Sequence, residues 1–304
     1  MAKSRLVLAL LVSTTAGIVT LAGSQAQAHD PAPAAAGPVF LAADLRGSNE
    51  VPPADPDGRA VAVVRIQGNQ VGFALAWRGI AAPTAAHIHM GAAGANGPVT
   101  VGFFAGAVPA GINAVTGSVM VADPATLAAI VANPAGFYAN IHTTEFPGGA
   151  VRGQLRTLKN AVDLQRFLTV GPLLSVMTGD QEIAGGDADG HGVSFVRAHG
   201  TQVDFGVSWA GIAAPSAGHI HQGAVGVNGP VVVPFFAAPG GLPASINGIA
   251  GTVTGVAADL VTAINRNPRG YYTNLHNADF PGGAIRGQLF RLSGGSDHDA
   301  LSLD

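Results

Sequence analysis

An all-β protein is predicted, built as two tandem antiparallel sandwiches or Greek-key barrels with one short helix in each. Three observations lead there. The 304 residues include 43 glycines and 20 prolines but only 11% charged residues, a composition that favours turns joining short strands. Apolar residues alternate at period two in short runs, the mark of half-buried strands. Nearly every feature then occurs a second time, at a spacing the size of a domain.

Taken in order, residues 1–28 read as an export signal. Lys3 and Arg5 precede an apolar run diluted by Ser13, Thr14, Gly17 and Thr20, and Ala26-Gln27-Ala28 is a small-x-small cleavage site. Cleavage there would leave His29 at the amino terminus, where its amine and imidazole would form a chelating pair; the plainer reading is an incidental histidine in the Pro/Ala-rich linker 29–39. No later segment reaches the length of about 18 apolar residues that spans a bilayer. The mature protein is therefore expected outside the cytoplasm, periplasmic or extracellular, with no membrane span. It has no cysteine, so stability must come from its cores, and thiolate chemistry is excluded. A net charge of -3 and no basic track argue against nucleic acid as a partner.

The first domain is expected over 40–157 and the second over 168–292, joined by 158–167 and followed by a tail over 293–304. Trp77, His87 and Phe103-Phe104 match Trp209, His219 and Phe235-Phe236; after a two-residue insertion, His142 and Arg152 match His276 and Arg286. Within a copy, "AVAVVRI", "QVGFALAW", "HIHM", "GSVMV", "GFYANIH" and "AVRGQL" read as strands. Asp123 and Pro124 can start a helix over "ATLAAIVA", which Asn133-Pro134 stops. The second copy has Ala257 at the cap position and should fray more easily. Each domain is expected to be stable alone.

Strand alternation places His87 and His89 on one face with Ile88 opposite, and Tyr138, Asn140 and His142 on one face with Ile141 opposite. The isoleucines belong in the core, so the histidines belong outside it, roofed by loops. "NIHTTEFPGGAVRGQL" reads as a hairpin turning on Pro147-Gly148-Gly149, with Arg152 opposite His142. His87, His89 and His142, and again His219, His221 and His276, form a candidate ligand set; all-nitrogen donors suit copper or zinc better than calcium or magnesium. The alternative is a polar strand face whose histidines bond to loop carbonyls. Glu50 and Glu182 are candidate partners that orient a histidine, or else solvent-facing carboxylates. Glu145 or Asp279 on the turn, with Arg152 or Arg286, would complete each cluster as anion or second-layer contacts. Asp55-x-Asp57-Gly58 and its counterpart Asp187-x-Asp189-Gly190 read as turns, the two tryptophans as packing residues, and "GAAGANGP" as a loop that does not bind phosphate.

The set "GSNEVPP", "AHIHMGAAGANGPV" and "NIHTTEFPGGAVRGQL", with its second copy, resembles the CHRD domain, a module named after chordin. The resemblance implies an immunoglobulin-like Greek-key barrel with limited similarity to Cu/Zn superoxide dismutase. By that similarity the two histidine triads would correspond to copper ligands. The chain departs from the dismutases in lacking a bridging histidine match, a zinc subsite and a disulfide, and its arginine stands elsewhere in the chain.

Three functions fit. The favoured one is an exported, non-enzymatic binding module for an extracytoplasmic protein or small ligand, with one copper site per domain, zinc being the weaker candidate, and no organic cofactor. A copper-dependent, dismutase-like enzyme is the second. A purely structural or adhesive tandem module is the third.

Overall fold

The computed structural model describes residues 37–292. The expected signal peptide, His29 and the tail over 293–304 lie outside the described residues. No helix among the described residues is long and apolar enough to cross a membrane.

The first copy runs β1 (Val39–Arg46), β2 (Arg59–Gln67), β3 (Gln70–Arg78), β4 (Pro83–Met90), β5 (Val99–Ala105), β6 (Ile112–Met120), α1 (Pro124–Ala132), β7 (Phe137–Thr143), β8 (Val151–Gln154) and β9 (Arg156–Thr157). The second repeats it as β10 (Leu173–Thr178), β11 (His191–His199), β12 (Gln202–Ala210), β13 (Ala217–Gln222), β14 (Val231–Ala237), β15 (Ile246–Thr254), α2 (Ala258–Arg266), β16 (Tyr271–His276), β17 (Ile285–Gln288) and β18 (Phe290–Arg291). The all-β expectation holds. Strands β1 and β5 were not among the expected runs, because "VFLAADLR" and "VTVGFFA" bury consecutive residues and blur the period of two.

All pairings are antiparallel. In the first copy β1, β2, β3 and β6 form one sheet, and β5, β4, β7 and β8 form the other. A single pair, Arg46 with Arg152, joins β1 to β8 at the corner. The sheets face each other across a core of Leu41, Leu45, Phe73 and Leu75 from the first and Ile88, Phe103 and Ile141 from the second, each at most 1% exposed. Phe73 stacks on Phe103 from the opposite sheet at 4.9 Å, as Phe205 does on Phe235 at 4.4 Å. Each buried phenylalanine contributes about 1.5–3 kcal/mol. The second core replaces Ala43, Ala62 and Ala139 with Ser175, Ser194 and Thr273, whose buried hydroxyls satisfy one another.

Helix α1 starts as expected, with Asp123 accepting from Ala125 N at 2.9 Å. Helix α2 has the same length, nine residues, without a side-chain cap at Ala257.

The two copies do not meet only through a linker. Edge strand β6 pairs with β15, and Val115 stands opposite Ile249, its own counterpart in the repeat, so the seam has local two-fold character. One sheet therefore continues from β3 through β6 and β15 to β12. The segment expected as a plain join includes a 3-10 turn, Leu164–Leu168, and Leu168 buries itself against Ala114 and Ala250 on the seam.

Candidate metal centres

β4 is central in its sheet, paired to β5 on one side and β7 on the other. Its alternation works as predicted: Ile88 is fully buried in the core while His87 and His89 turn to the outer face. Across β7, His87 stands opposite Asn140 and His89 opposite Tyr138, which places His142 diagonal to His87. The outer face is nevertheless covered, because loops fold over it. His89 and His142 are each 8% exposed.

The rings converge. Centroids lie 5.5 Å apart for His87 and His89, 4.9 Å for His87 and His142, and 5.8 Å for His89 and His142. The second copy gives 5.5, 5.0 and 6.0 Å for His219, His221 and His276. In each triad one nitrogen per ring lies within 4.8 Å of the other two. Donors sharing one ion at 2.0–2.1 Å can be at most about 4.2 Å apart, so a small ring adjustment closes the set.

Backbone carbonyls decide which nitrogen points inward. His89 Nδ1 donates to Gly97 O at 3.0 Å and His142 Nδ1 to Pro147 O at 3.0 Å. Their Nε2 atoms therefore carry the lone pairs, that of His89 unpartnered and that of His142 facing His87. His221 and His276 repeat this with Gly229 O at 2.9 Å and Pro281 O at 3.0 Å. His87 Nδ1 lies 3.0 Å from His142 Nε2. In the second copy His219 Nδ1, His221 Nε2 and His276 Nε2 are all buried without a protein partner. Orphaned buried acceptors aimed at one point fit a cation that takes nitrogen donors. Both readings of the histidines are thus present in one ring in His89, His221 and His276: Nδ1 bonds a loop carbonyl, and Nε2 is left over.

The carbonyl locks depend on two glycine positions. A Cβ on Gly97 would sit 1.6 Å from Met90 O, so only glycine lets the loop over 91–98 press onto the end of β4; Gly229 meets Gln222 O at the same distance. Gly149, at φ +137°, ends the turn that presents Pro147 O.

A second layer holds the loop. Tyr138 stacks flat on His89 at 5.0 Å and 9°, and its hydroxyl accepts from Gly97 N at 3.2 Å. Arg152 Cζ lies 4.5 Å from the Tyr138 ring centre, and Arg152 Nη1 donates to Asn96 Oδ1 at 2.8 Å. β4 and β8 flank β7, so His89 and Arg152 take opposite faces of the tyrosine. Tyr272, Arg286 and Asn228 repeat the arrangement. Sequence reasoning did not assign Asn96, Gly97 or the tyrosine hydroxyl to the site. The signal was there in Asn96-Gly97-Pro98, repeated as Asn228-Gly229-Pro230.

Several expected neighbours lie elsewhere. Arg152 pairs with Asn140 rather than His142, and at 1% exposure it is not placed to meet an anion. Glu50 is 6% exposed, so it is not a solvent-facing carboxylate, and carbonyls orient the histidines in its stead. It packs instead into the space a side chain on Gly149 would take, beside Asn140. Glu182 accepts from Asn274 Nδ2 at 2.6 Å. Glu145 and Asp279 are exposed on the turns and form no hydrogen bond or ion pair with the triads among the described residues. Asp55 closes a turn by accepting from the Asp57 and Gly58 amides, as predicted, and Trp77 and Trp209 pack in the core.

Burial sets the protonation. Desolvation, reinforced by the neighbouring imidazoles, lowers His87 and His219 to about 4. Desolvation also lowers His142, His221 and His276, against the opposing effect of their carbonyl bonds. At neutral pH these five rings are uncharged, the form that binds metal. Burial raises Glu50 and Glu182 to about 7, against the pull of Arg152 and Arg286.

These features define a class: a repeated antiparallel sandwich with a partly buried histidine triad on the outer face of its second sheet. The CHRD domain model matches residues 41–155 and 173–289, and the chain belongs to the CHRD-domain family as two tandem copies. No curated protein is significantly similar to it.

Proposed function

We propose that this protein is an exported binding module in which each CHRD domain holds one copper ion, through His87, His89 and His142 in the first and His219, His221 and His276 in the second. The observation that carries this reading is the convergence of three ring nitrogens in each domain, two of them turned inward by carbonyl bonds on the far nitrogen. An all-imidazole set favours copper over zinc in the usual affinity order. The export part rests on the amino-terminal signal pattern.

Bound copper would supply Lewis-acid and redox capacity. The chain's own residues do the rest: the triad binds, Gly97 and Pro147 orient it, and Tyr138 and Arg152 clamp the loop that excludes water. A dismutase-like copper enzyme is the second reading, favoured by the pairing of an HxH strand with a late strand histidine. The buried positions of Arg152 and Arg286 weigh against it, because neither guanidinium is presented to an incoming anion.

Calorimetric titration of the full chain with Cu(II) and Zn(II) tests the proposal. Two sites per chain, tighter for copper and absent in the His89→Ala/His221→Ala variant, are expected. No binding would leave a structural or adhesive module. A superoxide assay on the copper-loaded chain decides between module and enzyme.

A further inference from the structure

A second candidate site lies on the outer face of the first sheet, away from the histidines. Arg46, Arg59 and Arg78 stand directly opposite one another on β1, β2 and β3. Directly opposed residues share a face, and two pairings of about 5 Å each make a row about 10 Å long. Like charges placed this way destabilise a sheet. The chain has only 15 Lys and Arg and a net charge of -3, so three arginines in one row are not a general surface property.

The row is largely uncompensated. Asp44 takes Arg46 through Nε and Nη2 at 3.0 and 2.7 Å, an exposed pair that contributes little. Among the described residues Arg59 donates only to the Gly58 and Pro56 carbonyls. Arg78 is exposed and has no acidic partner among the described residues. The row borders a cleft of about 440 Å³ that Asp44, Ala76 and Val61, itself 45% exposed, also line. In the second copy the same register positions hold Thr178, His191 and Ala210. The row therefore belongs to the first domain alone.

We propose that this cleft binds an acidic oligosaccharide, a chain of uronic acids whose carboxylates lie along the arginine row. Guanidinium groups pair carboxylates through two parallel hydrogen bonds, and a row of three suits repeated charges better than one small anion. Val61 and Ala76 offer an apolar floor to the C–H faces of sugar rings. Asp44 accepts hydroxyl donors. A polyphosphate has neither hydroxyls to donate to Asp44 nor an apolar face to meet Val61 and Ala76. A nucleic acid strand would need exposed aromatic platforms, whereas Trp77, which borders the cleft, is 7% exposed and packs in the core.

The test is titration of the full chain with hexagalacturonate, independent of the copper reading. The wild type should bind one hexamer saturably. The Arg59→Ala/Arg78→Ala variant should lose at least tenfold in affinity and the His89→Ala/His221→Ala variant nothing. Arg59→Lys/Arg78→Lys, which keeps the charge without the paired donors, should weaken binding several-fold and serves if the alanine variant does not fold. Neutral hexagalactose and hexaphosphate should bind at least tenfold more weakly. No saturable binding by wild type, undiminished binding by the arginine variants, or equal binding of hexaphosphate would overturn the proposal.

Discussion

Replacing Gly97 with alanine should disable the first histidine triad without touching a ligand. The new Cβ would lie 1.6 Å from Met90 O, where ordinary contact begins near 3.4 Å, so the loop must retreat by about 1.8 Å. That takes Gly97 O out of hydrogen-bond range of His89 Nδ1, now at 3.0 Å. It also breaks the Gly97 N to Tyr138 hydroxyl bond. Loss of a partner that orients a ligand costs about 10–100-fold in metal affinity, or about 1.4–2.7 kcal/mol. Stability should fall comparably. The two lost hydrogen bonds, at about 0.5–1.5 kcal/mol net each, lower the Tm of a unit this size by about 2–12 °C. The loop is at the surface and can relax, so cooperative unfolding should persist. Copper titration should then show one unaltered site, in the second copy, and one weakened site. Gly229→Ala should give the mirror result. Gly148→Ala, with nothing within 4 Å of its added Cβ, is the control and should bind like wild type. Two undisturbed sites in Gly97→Ala would refute the idea that the carbonyl sets the histidine.

Three further outcomes are expected. Copper at a hundred times its Kd should stabilise each occupied site by about 2.7 kcal/mol, and differential scanning calorimetry should show the rise in Tm halved in His89→Ala relative to each protein's metal-free form. In the metal-free chain, His87 and His219 titrate near 4 when folded but near 6.5 when unfolded, so they remove stability as pH falls from 6.5 to 4. Glu50 and Glu182, at about 7 folded against 4.5 unfolded, act oppositely and remove stability as pH rises from 4.5 to 7. Urea midpoints of Glu50→Gln/Glu182→Gln should therefore climb more steeply with pH across that window than those of wild type; equal slopes would discount the buried carboxylates. The isolated segment 40–157 should be β-rich but dimeric by light scattering, because it exposes edge strand β6, whose central Val115 pairs with its own counterpart in the full chain.

The triads were legible because strand alternation is local: once His87 flanks Ile88, the face is decided by the core. The partners were less so. Arg152 was placed about opposite His142 on the assumption that the turn centres on Pro147-Gly148-Gly149. The ladder centres earlier, at Phe146, which closes the turn by accepting from Gly149 N and moves the partner of Arg152 by two residues to Asn140. An even shift keeps every residue on its face, so the error was invisible to periodicity. Burial of Glu50 depends on a turn about a hundred residues away in sequence, and no local pattern reports that. The seam was equally hidden: β6 reads as an ordinary strand, and nothing in its alternation says which neighbour takes its free edge. The carbonyl locks needed the loop path, although the repeated Asn-Gly-Pro in both copies marked where it bends.

Each CHRD domain is proposed to carry a three-histidine copper site. Elemental analysis of the full chain, loaded with copper and freed of excess by gel filtration, tests it most directly. Two coppers per chain are predicted for the wild type, one for His89→Ala or His221→Ala, and none for the double variant. A wild type without copper, or a double variant that still holds two, would contradict it.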